Sequence, residues 1–303
     1  MGSPDFALPV LQELASHYPI AGVITQPDRP SGRGQQLTPP PVKRLAIELG
    51  LEVFQPERLR KPEAFTQLET WAPELIVVAA FGQILRQNVL DLPQYGCINV
   101  HGSLLPRWRG AAPIQAALLH GDEVTGATIM KMDAGIDTGG LLASREVEIR
   151  SEDDSGSLFP RVAAAGARLL IETLPGYLNG DIHPKIQDES LATYAPMIKK
   201  EEGFLDFTRP ANDLVNRVRA YNPWPGSAIT WAGGVLKILA ATTSPGPEGQ
   251  PGDHAILDKQ PAVCTTEGWL VLHQVQPAGK KPMPGRDFLS GARGWIDPIP
   301  KSS

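Results

Sequence analysis

The chain has 303 residues, of which 42% are hydrophobic and 20% are charged, and its formal net charge is −5. This length is enough for two packed cores, and the composition excludes a largely disordered chain. The negative charge argues against a protein that binds phosphates over its whole surface, but the part from Lys199 onward carries a net charge of +2 and can hold a local basic patch.

The chain opens directly with a predicted helix. Phe6, Val10, Leu11 and Leu14 recur at helical spacing and form its inner face. A doubly wound sheet usually begins with a strand, and no strand precedes this helix. We therefore expect that one central strand is missing from this version of the chain, because its start was assigned too late.

Strands and helices alternate over the rest of the first half. Apolar, β-branched runs bounded by turn residues predict buried strands at 20–26, 74–82 and 96–102. Apolar residues at helical spacing predict helices at 112–122 and 157–174. Alternating strands and helices predict an α/β domain with a doubly wound, mostly parallel, Rossmann-like sheet. We assign residues 1–182 to this domain.

The pattern changes after about Gly180. Mixed polar residues and prolines without an apolar period predict a linker over residues 183–202. A helix between Pro210 and Pro223 follows, and then several short alternating segments. Such segments predict a small antiparallel β-barrel, similar to an OB fold, in a second domain of residues 203–303.

The stretch 96–113, GCINVHGSLLPRWRGAAP, places polar side chains at the end of a buried strand. Asn99 and His101 are two residues apart, so both side chains point to the same face of the sheet. A histidine can accept a proton from an amine near neutral pH, and an asparagine amide can donate a hydrogen bond to the oxygen of a tetrahedral intermediate. The pair therefore indicates acyl transfer.

A histidine in this role needs a carboxylate to orient its ring. The glycine-rich loop MDAGIDTGGLL supplies Asp133 and Asp137, and either can do so; the tight turn from Gly135 to Gly140 favours Asp137. Ser103 is a poor candidate for a nucleophile because no G-x-S-x-G turn surrounds it. The six histidines are scattered and form no metal-binding motif, so we expect no metal.

The combination of NVHGSLLPRWRGAAPIQ with GATIMKMDAGIDTGG resembles the folate-dependent formyltransferases. The similarity extends through YAPMIKKEEGFLDF and RAYNPWPGSA to nearly the whole chain, and it is strongest with the branch of that family that acts on initiator tRNA. The resemblance implies that Asn99, His101 and Asp137 carry the reaction. It also implies that formyl passes from 10-formyltetrahydrofolate to the α-amino group of methionyl initiator tRNA, which gives N-formylmethionyl-tRNA for translation initiation.

The resemblance implies ligand-binding residues as well. We expect the folate to lie along one segment and near a second: Ser103, Leu104, Leu105 and Pro106, then Phe81, Gly82 and Ile84. Phosphates are bound by lysine and arginine, and the candidates for tRNA are Arg33, Lys43, Arg44, Arg217, Lys280 and Lys281. Gln35 and Gln36 follow the GRG that contains Arg33, where relatives often carry lysine, so we expect this loop to bind the acceptor stem less strongly.

Two other functions remain open at this point. One is a formyltransferase that acts on a small amine, either glycinamide ribonucleotide or an amino-sugar nucleotide. The second domain argues against the former, and the stretch QPAGKKPMPGRDFLSGAR favours a tRNA substrate over the latter. The other is a folate-binding or RNA-binding module without catalysis, which would lack the intact set of three polar residues. Only Cys97 and Cys264 are present and no secretory signal or apolar run of about 20 residues occurs, so we expect a monomeric cytoplasmic enzyme.

Overall fold

The computed structural model describes residues 1–31 and 36–296 of the chain. Contacts divide it into two compact units. The first comprises Met1–Pro113, Val124–Glu148 and Phe159–Ala195, and the second comprises Ile114–Glu123, Ile149–Leu158 and the residues from Pro196 onward. None of the helices in these described ranges is both long and apolar enough to cross a bilayer.

Short strands alternate with helices along the first 195 residues, as the sequence predicts. In chain order the elements are α1 (Ala7–His17), β1 (Val23–Ile24), β2 (Arg29–Ser31), β3 (Gln36–Thr38), α2 (Pro41–Glu48), β4 (Val53–Phe54), α3 (Pro62–Trp71), β5 (Ile76–Val78), α4 (Gln87–Leu90), β6 (Cys97–His101), β7 (Arg109–Gly110), α5 (Pro113–Leu119), β8 (Val124–Lys131), β9 (Leu141–Glu148), α6 (Ser155–Leu178) and β10 (Tyr194–Ala195).

The first unit contains a two-stranded parallel sheet of β1 and β4 and a four-stranded mixed sheet in the order β5, β6, β8, β9. β1 pairs with β4, and β5 pairs with β6, both in parallel. β8 then runs antiparallel to β6, and β9 antiparallel to β8. The predicted strands at β1, β5 and β6 are confirmed, but the sequence analysis missed β8 and β9. β9 is half exposed along its length and so lacks the continuous apolar run of a buried strand.

The second unit contains a helix, an antiparallel sheet and a short final helix. Its elements from Ala211 onward are α7 (Ala211–Tyr221), β11 (Ser227–Trp231), β12 (Gly234–Ser244), β13 (His254–Leu257), β14 (Gln260–Cys264), β15 (Trp269–Pro277), β16 (Met283–Pro284) and α8 (Gly285–Leu289). The strands follow the order β11, β12, β15, β14, β13, with β16 paired to β15. An antiparallel second unit is confirmed, and its closure into an OB-like barrel stays a prediction.

One core cluster holds the second unit together. Leu214 and Val218 of α7 and Phe288 of α8 pack with residues of the sheet, and all of them are buried. Trp295 is 1% exposed and lies edge-on to the ring of Phe288. Burying aromatic and aliphatic side chains of this size contributes about 1.5–3 kcal/mol each, so the sheet and both helices form one cooperative core.

The first two residues of the chain lie between β1 and β5. The backbone N–H of Gly2 donates to the carbonyl of Ile24 (3.1 Å), and that of Ala79 donates to the carbonyl of Met1 (2.9 Å). The Met1 ammonium donates to the carbonyl of Val77 (2.6 Å). Met1 and Gly2 therefore lie between β1 and β5, two strands that do not pair with each other. Gly2 forms one isolated parallel bridge with Ala79.

A cavity of about 510 Å³ lies beside Met1. Apolar residues of α1, α3, α6, β1 and β5 line most of it: Leu11, Leu14, Val23, Ile24, Leu68, Trp71, Ile76, Leu174 and Leu178. The indole Nε1 of Trp71 is buried and has no hydrogen-bond partner within the described ranges. The cavity thus adjoins the unpaired edges of β1 and β5, where an added strand would meet both backbone and side-chain partners.

An extension that forms a strand is expected to stabilise the first unit. Placing Val-Ile-Val-Ile-Ala before Met1 should fill the cavity with apolar side chains and raise the melting temperature by about 5 °C. Differential scanning calorimetry measures this. A Gly-Ser extension of equal length is the control, and equal melting temperatures for the two extended chains would contradict the expectation.

The buried amino group makes stability depend on pH. Burial lowers the pKa of the Met1 ammonium from 8.0 to about 6. Between these values the unfolded chain binds a proton that the folded chain releases, so the free energy of unfolding should rise with pH from about 6 to 8. Urea unfolding at pH 6, 7 and 8 measures the slope. The chain extended with the apolar segment lacks this buried amine and should lose that part of the slope; identical slopes in both chains would contradict the assignment.

Candidate active site

The central strand β6 positions the first two candidate residues. Asn99 is the register partner of Val78 in β5 and of Met130 in β8, and His101 is the partner of Thr128. All five residues of β6 are buried. The intervening Val100 lies against Gly166 of α6, where an added Cβ would come within 2.7 Å of a Val100 methyl group. Helix α6 therefore covers one face of β6, and Asn99 and His101 occupy the other face.

Three nitrogen atoms surround the carboxylate of Asp137, and two of them donate hydrogen bonds to it. The Nδ2 of Asn99 donates to Oδ1 at 3.3 Å, and the backbone N–H of Gly110 donates to Oδ2 at 2.9 Å. The Nδ1 of His101 lies 3.5 Å from the same Oδ2. Asp137 has φ of +54°, in the left-handed region that few residues other than glycine adopt. The structure thus brings together all three residues that the sequence analysis named as catalytic.

The His101 ring meets a hydrogen-bond acceptor at each nitrogen. Its Nε2 lies 2.9 Å from the carbonyl oxygen of Trp108, and a carbonyl only accepts, so Nε2 carries the hydrogen. Its Nδ1 faces the Asp137 carboxylate. Both ring nitrogens therefore face groups of the protein, and these contacts fix the orientation of the imidazole beside the carboxylate.

Asp133, the alternative orienting carboxylate, serves the loop itself. Its Oδ1 accepts hydrogen bonds from the N–H of Gly135 at 3.0 Å and from the hydroxyl of Thr138 at 2.7 Å. These local bonds close the turn from Asp133 to Thr138, which contains Asp137. The sequence left the choice between Asp133 and Asp137 open, and the structure places Asp137 beside His101.

The segment after β6 is fixed by hydrogen bonds to its backbone. The Thr128 hydroxyl donates to the carbonyl of Ser103 (2.6 Å) and accepts from the N–H of Leu105 (3.1 Å). Ser103 is fully buried, and its hydroxyl donates to the carbonyl of Arg107 at 2.6 Å. Leu105 is buried, whereas Leu104 and Pro106 are half-buried. The Ser103 hydroxyl is a structural group, in agreement with the absence of a nucleophile motif.

The second predicted folate segment divides into buried and exposed residues. Phe81 is 2% exposed and belongs to the core of the first unit. Gly82 is exposed with φ of +74°, and Ile84 is 80% exposed. Ile84 therefore presents an apolar side chain to solvent, and Gly82 presents backbone, while Phe81 supports them from within the core.

The basic residues expected to bind tRNA differ in their availability. Lys43 donates to both oxygens of Asp28 at 2.9 and 2.7 Å, and this contact, followed by that of Gln55, lowers the pKa of Asp28. Arg217 donates to the carbonyl of Glu202 at 3.2 Å and lies over the ring of Tyr221. Arg44, Lys280 and Lys281 are exposed, and Arg33 and Gln35 lie outside the described residues. Phosphate binding by Lys43 or Arg217 would compete with these contacts.

The sequence analysis missed a buried polar cluster next to the site. Arg109 is 0% exposed and pairs with Glu189 through two hydrogen bonds of 2.9 and 2.7 Å. Gln187, also buried, lies between Arg109 and the Asp137 loop. The only signal in the sequence was the arginine in RWRG directly after the catalytic strand, because Gln187 and Glu189 fall in a stretch whose composition indicates a linker.

Comparison with protein-family models assigns both parts of the chain. Residues 2–174 match the family described as formyl transferase, and residues 197–293 match the formyl transferase C-terminal domain. The chain belongs to the formyl transferase family. The resemblance drawn from the motifs around Asn99 and Asp137 is therefore confirmed, and the chain is a transferase with a second domain of the same family.

Individual formyl transferases match over nearly their full length. The chain is 47% identical over 296 residues to the methionyl-tRNA formyltransferase of Bacillus subtilis, covering 96% of this chain and 93% of the relative. It is 50% identical over 296 residues to the methionyl-tRNA formyltransferase of Halorhodospira halophila, covering 96% and 95%. These shares include both family domains.

A solved structure shares the fold at low identity. The crystal structure of WlaRD, a sugar 3N-formyl transferase in the presence of dTDP and 5-N-formyl-THF, superposes with a TM-score of 0.66 at 17% identity. The match covers 92% of this chain and 97% of WlaRD. At this identity the comparison shows a common formyl transferase fold.

Proposed function

We propose that this formyl transferase moves a formyl group from 10-formyltetrahydrofolate to the α-amino group of methionine esterified to initiator tRNA. The product is N-formylmethionyl-tRNA, with which translation initiation begins. Full-length relatives that share about half of the residues and bear the name methionyl-tRNA formyltransferase support the substrate. The observation that carries the chemistry is the Asp137 carboxylate between Asn99 and His101.

The attacking group is the neutral amine of the methionyl ester. An α-amino group has a pKa of about 7.7–8.0, so its proton passes to solvent at little cost near neutral pH. The amine nitrogen then bonds to the formyl carbon and releases a second proton, while the bond from that carbon to the folate nitrogen breaks and the folate nitrogen takes up a proton. Because Nε2 of His101 is engaged with the Trp108 carbonyl, water receives the ammonium proton in this scheme.

Asn99 stabilises the negative oxygen that develops on the formyl carbon, and the Asp137 carboxylate orients Asn99 and His101. An amide nitrogen carries two hydrogens, and one of those on Asn99 binds Asp137, so the other is available for the oxygen. His101 is held beside the same carboxylate. Groups fixed in this way before the reaction need no reorganisation when charge appears, which is the main source of their effect.

We assign folate binding to residues that follow β5 and β6 in the chain. The folate supplies the one-carbon unit when bound. Gly82 offers backbone without a side chain, and the exposed Ile84 and half-buried Leu104 offer apolar surface for its ring. Ser103, Leu105 and Phe81 are buried and hold these residues in place.

The tRNA is bound by exposed basic residues of both parts of the chain. Lys280 and Lys281 in the second domain and Arg44 near the first helices are solvent-exposed and suited to phosphate contacts, and Arg33 remains a candidate on sequence grounds. Residues 1–182 form the catalytic domain, 183–202 a linker and 203–303 the tRNA-binding, OB-like domain in this proposal. The enzyme acts as a monomer in the cytoplasm.

A formyl-transfer assay tests the function and the roles of the trio. Methionyl initiator tRNA should be formylated, whereas uncharged tRNA, glycinamide ribonucleotide and amino-sugar nucleotides should not. Asn99→Ala and His101→Ala should each fold and bind both substrates but lose about 100-fold to 1,000-fold in kcat. Circular dichroism and equilibrium binding control for folding. Faster formylation of a small amine would overturn the substrate, and near-normal kcat in either variant would overturn its role.

Exchange of the two exposed lysines tests the tRNA surface. In the double variant Lys280→Ala and Lys281→Ala, affinity for tRNA should fall and the slope of log affinity against log salt should decrease by about 1 to 2. Folate binding should not change. Lys259→Ala, an exposed lysine in the turn between β13 and β14, is the matched control. A salt slope equal to that of the control would remove both lysines from the interface.

A further inference from the structure

Gln187 is a buried glutamine whose side-chain amide is fully used. Its Nε2 donates to the backbone carbonyls of Asp137 (2.8 Å) and Gly139 (2.7 Å). Its Oε1 accepts from Nε of Arg109 at 3.1 Å and from Nη2 at 2.9 Å. Two hydrogens and two acceptor positions are thereby occupied, so the amide can adopt only one orientation without leaving a buried polar atom unpaired.

Arg109 fixes the direction of that amide. Its guanidinium is planar and rigid, and its other edge pairs with the Glu189 carboxylate through Nη1 (2.9 Å) and Nη2 (2.7 Å). The side chain of Arg109 is fully buried, whereas that of Glu189 is largely exposed. If Arg109 lost these partners, its buried positive charge would be unpaired, which costs free energy of folding. Glu189, Arg109 and Gln187 therefore form one ordered row.

The row closes a ring around Asp137. The backbone of Arg109 leads directly into Gly110, whose N–H donates to the Asp137 carboxylate at 2.9 Å. The Arg109 side chain leads through Gln187 to the carbonyl of the same Asp137. Asp137 is therefore held at its carboxylate and at its backbone by the same two-residue strand, β7. Its left-handed φ of +54° is a conformation that persists only where surrounding contacts enforce it.

We propose that Gln187 is a positioning residue for formyl transfer: it holds the Asp137 backbone so that the carboxylate stays between Asn99 and His101. Arg109 and Glu189 act indirectly, because they align the Gln187 amide. The inference rests on the proposed function, because it takes Asp137 as the group that orients the other two. A shift of about 1 Å in such a group can lower a rate by about 100-fold.

The test uses Gln187→Glu in the full-length enzyme. Glutamate keeps an oxygen for Arg109 and removes both donors to the Asp137 loop. We expect kcat for formylation of methionyl initiator tRNA to fall by about 100-fold, while KM for folate and for tRNA stays nearly unchanged. In the background of Asp137→Asn, the same exchange should cause no further loss, because Gln187 acts only through that carboxylate. A purely structural role would instead multiply the two losses.

Tyr177→Phe is the control for a lost buried donor. The Tyr177 hydroxyl donates to the carbonyl of Tyr95 at 2.7 Å, away from the trio, so its removal should lower the melting temperature and leave kcat unchanged. Should Gln187→Glu fail to fold, Glu189→Ala tests the same row from its exposed end, and its smaller fall in kcat should likewise vanish beside Asp137→Asn.

The outcomes separate the two levels of inference. No formylation by the wild-type enzyme would overturn the proposed function, and full activity of Asp137→Asn would overturn the role of that carboxylate. If both hold but Gln187→Glu retains its kcat, or its loss multiplies with that of Asp137→Asn, the positioning role of Gln187 is overturned. For Glu189→Ala, an unchanged kcat would have the same consequence.

Discussion

The interaction on which the site depends is the contact of one carboxylate, that of Asp137, with Asn99, His101 and the Gly110 backbone. Asn99 and His101 are buried, and a buried polar group without a partner costs on the order of 1–3 kcal/mol. Asp137 accepts hydrogen bonds from Asn99 and from the Gly110 backbone and lies beside the His101 ring. The contacts that make two buried polar side chains tolerable in a strand are the same contacts that orient them at the candidate site.

The residues that support this carboxylate lie in a part of the chain outside both family domains. Gln187 and Glu189 fall between the two family matches, which end at residue 174 and begin again at residue 197. Main-chain hydrogen bonds nevertheless connect this stretch to the first unit. The N–H of Lys185 donates to the carbonyl of Leu141 and the N–H of Leu141 donates to that of Lys185, both at 2.8 Å, and β10 pairs with β7. The segment that contains Gln187 and Glu189 has no core of its own. It is ordered because it completes the surroundings of the charged Asp137 side chain.

Sequence reasoning succeeded where a single local pattern carries the signal. Continuous apolar runs identified β5 and β6, and alternation along β6 placed Asn99 and His101 on one face. It does not reach contacts between residues that are separated along the chain. No local pattern indicates that Lys43 bonds to Asp28, fifteen positions away, or that Gln187 is buried although it lies in a polar stretch. A sequence pattern shows the periodicity of one element, whereas contacts between residues separated along the chain are seen only in the folded structure.

The strand that supports the catalytic strand is also the one that borders the cavity. In β5, Val78 is the register partner of Asn99, while the neighbouring residues bond to Met1 on the opposite edge through the Val77 carbonyl and the Ala79 N–H. Those opposite-edge bonds come from a single residue with a buried amino group, next to an apolar space of about 510 Å³. Cavities of this kind lower stability because lining atoms lose their packing partners. Packing that is missing beside β5 is therefore missing next to one of the two strands that align Asn99.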